Sequence, residues 1–179
     1  MKKNRNFLFG GNRGFTLVEL LGVIVILSII MVIAIPNVIS VFENNKRETY
    51  LSDAQKLVTQ AKYQLRSGNI SKPGSNEALK ITLHYLGTSD VSKDSDGNHY
   101  NLDKSYVVVV RKDETLKYYV NLVADLEDGS TKGIKLTDSD ELSGDDRLKL
   151  VEIKSWDGNI DNNGILSIVG LAGGRVIEP

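Results

Sequence analysis

From Phe15 to Ile35 the chain is apolar except at Thr16, Glu19, Gly22 and Ser28, and no other feature limits its possible folds as much. At about 1.5 Å per residue the run makes a helix roughly 30 Å long, the thickness of the hydrocarbon core of a bilayer. A helix apolar on every side has no polar face to give to water, so it needs lipid or other helices around it. Lys2, Lys3, Arg5 and Arg13 precede the run with no acid among them. That charge bias sets the basic end in the cytoplasm and the remainder outside.

A basic start and an apolar run also describe a secretory signal, but the lengths differ. A cleaved signal has an apolar core of about 7–15 residues followed by small residues, whereas this run is longer and ends in Ile35-Pro36. Glu19 is what an ordinary membrane anchor leaves unexplained. A carboxylate in a membrane helix costs on the order of 3 kcal/mol at the centre and less near the interface, so a compensating partner is expected.

The segment Gly14-Phe15-Thr16-Leu17-Val18-Glu19, with its basic leader, its long apolar tail and Pro36, resembles the cleavage and methylation motif of type IV prepilins and the related pseudopilins. The resemblance covers the first third of the chain. It implies that a prepilin peptidase cuts between Gly14 and Phe15 and methylates the new amine of Phe15. It further implies that Glu19 neutralises the amine of an adjacent subunit and that Pro36 kinks the helix. The implied partners are identical subunits and other pilins in a helical filament, the peptidase, an assembly machinery with platform protein and ATPase, and membrane lipid before assembly. The implied location is the cytoplasmic membrane first and an extracellular pilus afterwards.

The motif also has a physical reading of its own. Cutting before Phe15 removes the leader cations and leaves one ammonium at the tip of an apolar helix, where it is poorly solvated. Glu19 lies one turn along, within reach of its own terminus or of a neighbour's. Both uses are open to the sequence.

Beyond Pro36, which removes a backbone donor, the helical pattern resumes. Tyr50, Ala54, Leu57, Val58, Ala61 and Leu65 share one face, while Lys46, Arg47, Glu48, Asp53, Lys56 and Lys62 fall on the complement. Ser67-Gly68-Asn69 then supplies stop chemistry. The reading is a leader over 1–14, a helix over 15–66 that is amphipathic from 36, and a head over 67–179. In the head, Ser105–Arg111 and Lys117–Leu126 read as an antiparallel hairpin, with shorter strands over 133–137, 148–154 and 165–169. Residues 78–86 suit a helix and a strand equally. The expected fold is α+β, a type IV pilin-like lollipop whose long helix lays its C-terminal half on an antiparallel sheet.

The chain has no cysteine, so the head is held by packing and pairing or by a bound ion; in lacking cysteine it resembles the pilins of Gram-positive bacteria. Two loops are dense in oxygen ligands. Asp94, Gly97 and Tyr100 are similar to an element of pseudopilin heads, and Asp157, Asn159, Asp161 and Asn163 have a calcium-like spacing without the final bidentate acid. Asp, Asn and Gly are equally the residues of turns, and the turn is the preferred reading, with no cofactor required.

His84 and His99 are the only histidines; His84 reads as a packing position and His99 as a turn. With no thiol, no Gly-x-Ser-x-Gly elbow and no phosphate loop, no enzymatic activity is expected. The formal net charge is −1, which implies no specific nucleic-acid binding. The expected function is that of a structural subunit of a type IV pilus. A pseudopilin of a secretion or competence apparatus is the alternative, followed by a membrane-anchored binding domain that never polymerises.

Overall fold

The computed structural model describes residues 14–87, 91–152 and 159–179. The expected leader therefore lies outside the described residues apart from Gly14. The chain divides into two compact units, one ending at Val41 and the other spanning Phe42–Pro179. Helix α1, Leu17–Arg66, contributes to both.

In the first unit every apolar side chain from Leu17 to Val41 points into open space, and Pro36 lies inside the helix. The helix continues through it. Pro36 has no N–H for the carbonyl of Val32, and at the next residue the side-chain amide of Asn37 donates from Nδ2 to the carbonyl of Ile33 at 3.3 Å. By length and composition the helix is sufficient to cross a membrane.

The second unit is a six-stranded sheet between helical layers. Its strands are β1 (Glu77–Thr82), β2 (Tyr106–Lys112), β3 (Thr115–Asp125), β4 (Thr131–Asp138), β5 (Val151–Glu152) and β6 (Arg175–Ile177), in the order β5-β4-β3-β2-β1-β6. The β2–β3 hairpin forms in antiparallel register, with Tyr106 opposite Asn121. Tyr106 to Val110 are all buried because both faces are covered. Val107 and Val109 meet the apolar stripe of α1, including Leu51, Leu57 and Leu65. Tyr106, Val108 and Val110 pack with Ile165, Leu166 and Val169 on the other face.

Several sequence expectations need correction. The run 165–169 is not a strand but part of helix α3 (Asn162–Ile168). Four apolar residues and a serine carry no period of their own, and Asp161 decides the matter by capping the turn with a bond from Gly164 N at 2.8 Å. Residues 78–86 take both forms, strand β1 and then helix α2 (Leu83–Leu86) behind the capping residue Thr82. The expected strand over 148–154 is a 3₁₀ turn, Arg147–Leu150, followed by the short β5; residues 153 and 154 lie outside the described residues. Strand β6 was not expected and pairs parallel with β1, so the sheet is mixed rather than wholly antiparallel. His84 is exposed on α2 instead of packed.

Asp53 is the most informative departure. The periodicity puts it on the polar face of α1, yet it is buried. Its Oδ2 accepts from Tyr100 Oη at 2.9 Å and its Oδ1 meets Lys56 Nζ at 2.9 Å. A buried carboxylate persists when it is paired and hydrogen-bonded.

Candidate processing and assembly site

The first described residues, Gly14 and Phe15, are non-helical, and the Phe15 ring is 88% exposed. The bond between them thus lies in non-helical chain just before α1. What fixes the start of the helix is a pair of side chains. Oε2 of Glu19 accepts from the Thr16 amide at 2.8 Å and from the Thr16 hydroxyl at 2.9 Å. In return the Thr16 hydroxyl oxygen accepts from the Glu19 amide at 3.3 Å, and the Thr16 carbonyl takes the first helical bond, from Leu20 N at 3.1 Å.

This is a capping box, in which an N-cap hydroxyl and a carboxylate three residues on satisfy each other's orphan amides. It explains how a carboxylate is tolerated at the head of an apolar helix. The sequence reading gives Glu19 a role and Thr16 none, although Thr-x-x-Glu before an apolar run is the signature that marks both. Oε1 of Glu19 takes no hydrogen bond from the described residues.

The oxygen-rich loops have other occupations. Asp161 caps α3, Asn163 is exposed in its first turn, and Asp157 lies outside the described residues. Among the described residues no group of three or more His, Cys, Asp or Glu side chains is placed to hold a metal ion.

In the earlier loop Asp94 is the centre of a buried network. Its Oδ1 accepts from the amides of Asp96 at 2.9 Å and Asn98 at 2.8 Å. Its Oδ2 accepts from Tyr50 Oη at 2.7 Å and Lys132 Nζ at 2.8 Å. Lys132 also meets Asp96 Oδ2 at 2.6 Å, and Lys46 closes on Asp96 Oδ1 at 2.7 Å. The cation between these carboxylates is therefore an ammonium of the chain itself.

Burial alone would push the Asp94 carboxyl up, but the bonds from Lys132, Asn98 and Tyr50 outweigh it and hold the carboxyl well below the usual range. Burial likewise opposes the charge on Lys132, and the two carboxylates more than restore it. Tyr50 and Tyr100 are pushed up by burial and by the acids they donate to. The network ties α1 to the sheet.

No curated protein and no solved structure matches the chain. Residues 10–35 match the family model of the prokaryotic N-terminal methylation motif, which covers the Gly14–Phe15 bond, the capping box and the apolar run. Over these residues the chain is similar to the prokaryotic N-terminal methylation motif, and the match supports a type IV pilin-like protein, pilin or pseudopilin.

Proposed function

We propose that the chain is a structural subunit of a type IV pilus. A prepilin peptidase cuts it between Gly14 and Phe15 and methylates Phe15; α1 holds it in the cytoplasmic membrane and then becomes part of a filament core, with heads outside. The subunit is non-catalytic and needs no cofactor. Its partners are other copies of itself, further pilins, and the platform protein and ATPase of an assembly machinery.

The observation that supports this reading is the matched motif on a helix whose apolar side chains from Leu17 to Val41 all lack cover. Such a surface requires lipid or other helices. Capping its own helix uses one oxygen of Glu19, and in a filament core the carboxylate has a further use as counter-charge to a terminal amine.

Glu19→Ala tests the reading in the native cells. Processing proceeds largely as in the wild type while surface filaments are lost; normal filaments from this variant contradict the assigned role. Microscopy with antibodies to the head separates long surface pili from a short pseudopilus.

A further inference from the structure

We propose that Lys132 and Asp94 are the two ends of an intramolecular isopeptide bond, an amide between Nζ of Lys132 and Cγ of Asp94, formed with Asp96 as the proton carrier. The proposal concerns the head alone and does not depend on the filament reading.

The groups that such a step needs meet at one buried point. Nζ of Lys132 lies 2.8 Å from Oδ2 of Asp94, with both side chains almost wholly shielded from water, and the Tyr50 ring centroid is 5.7 Å from the same nitrogen. Oδ1 of Asp94 accepts from the backbone amides of Asp96 and Asn98 at 2.9 and 2.8 Å. Paired amides of this kind stabilise the oxyanion that forms when a nucleophile adds to the carboxyl carbon. Oδ2, the oxygen that must leave, accepts from Tyr50 Oη at 2.7 Å. Oδ2 of Asp96 accepts from Nζ at 2.6 Å, and this carboxylate is the more exposed of the two, at 34%. Asp94 is thus placed as the electrophile and Asp96 as the base.

An ammonium has no lone pair, so the ion pair is the state before the step. Asp96 takes one proton from Nζ, the amine adds to Cγ, and negative charge gathers on Oδ1 between the two amides. Asp96 passes that proton to Oδ2, a second N–H proton follows by the same route, and the Cγ–Oδ2 bond breaks to release water. Of the ammonium protons one stays on the amide nitrogen and two leave in the water, so the balance needs no co-reactant. Groups held in such contact reach effective molarities of about 10⁵–10⁸ M. Exchanging two buried charges for one amide also removes the cost of keeping them from water. The bond closes a loop from residue 94 to residue 132 that contains β2 and β3, a covalent staple for a head without cysteine.

The test is tryptic digestion and mass spectrometry of the full chain, purified in detergent from the native cells. The wild type should yield one branched species, Asp94–Lys104 joined to Tyr118–Lys135, uncleaved after Lys132 and lighter than the two peptides together by one water. Lys132→Arg keeps the cation but cannot link, and it releases Asp94–Lys104 as a free peptide. Asp96→Ala remains largely unlinked, because a positioned base contributes about 100-fold or more in rate.

A wild-type digest with free Asp94–Lys104, full cleavage after Lys132 and no branched species overturns the proposal, and the pair is then a permanent ion pair. Undiminished linking in Asp96→Ala overturns it as well. Should that variant fail to fold, the wild-type digest alone decides.

Discussion

The ammonium of Lys132 stands 2.8 Å from Oδ2 of Asp94, with the two side chains only 11% and 0% exposed. Residues from β4 and from the loop before β2 are thus joined out of water, and the Tyr50 hydroxyl of α1 completes the contact. Removing one partner of such a pair leaves the other charge buried and uncompensated. Lys132→Met should therefore destabilise the head by about 3–5 kcal/mol, read as a lower midpoint in denaturation of the full chain in detergent.

The same pair sets a pH dependence. Asp94 and Asp96 are held below the usual carboxylate range in the folded chain, so their contribution is complete above the unfolded value of about 4 and is lost as pH falls below it. Lys132 is raised, so its contribution is complete below about 10.4 and is lost as pH rises through its folded value. A flat stability plateau between about pH 5 and 10 is expected from these groups. Thermal melting across that range checks it, and Lys132→Met should flatten the acid limb.

Gly133 of β4 stands opposite Val123 of β3. Its φ is +154°, and a Cβ there would lie 1.9 Å from the Leu122 carbonyl oxygen, beside the register shift between Val120 and Leu122. The backbone on both sides is fixed by pairing, so there is no flexible end to yield. Gly133→Ala should cost about 3 kcal/mol or more, and hydrogen exchange should show the loss in β3 and β4 first.

The β2–β3 turn points the other way. Asp113 and Glu114 hold φ values of 46° and 65°, a left-handed pair that favours Asn-Gly. Glu114→Gly should raise stability by about 1 kcal/mol by relieving that conformation, seen as a higher melting temperature with the fold unchanged.

The parts of the fold legible in the sequence are those with long patterns. Helix α1 shows itself through a long apolar run and then a face repeating at three and four, and β2 and β3 through β-branched runs with a polar turn between them. Short elements are not legible in this way. Strand β6 consists of Arg175, Val176 and Ile177 and exists because β1 offers it an edge, with the Glu77 carboxylate accepting from the Arg175 guanidinium; the two residues are 98 positions apart. Nothing local to those three residues announces that pairing.

The same division holds for the candidate site and for the network. Glu19 stands out because a charge interrupts a greasy run, whereas Thr16 looks like a minor interruption until its hydroxyl is seen on Glu19. Asp53 and Lys132 look like surface charges, because periodicity sorts residues by type and the partners that make their burial tolerable come from other elements.

The identity of the first residue tests the account most directly. Mass spectrometry of the protein recovered from its native cells should find a chain that starts at N-methylated Phe15, with Glu19 unmodified. A chain that still begins at Met1 would contradict it.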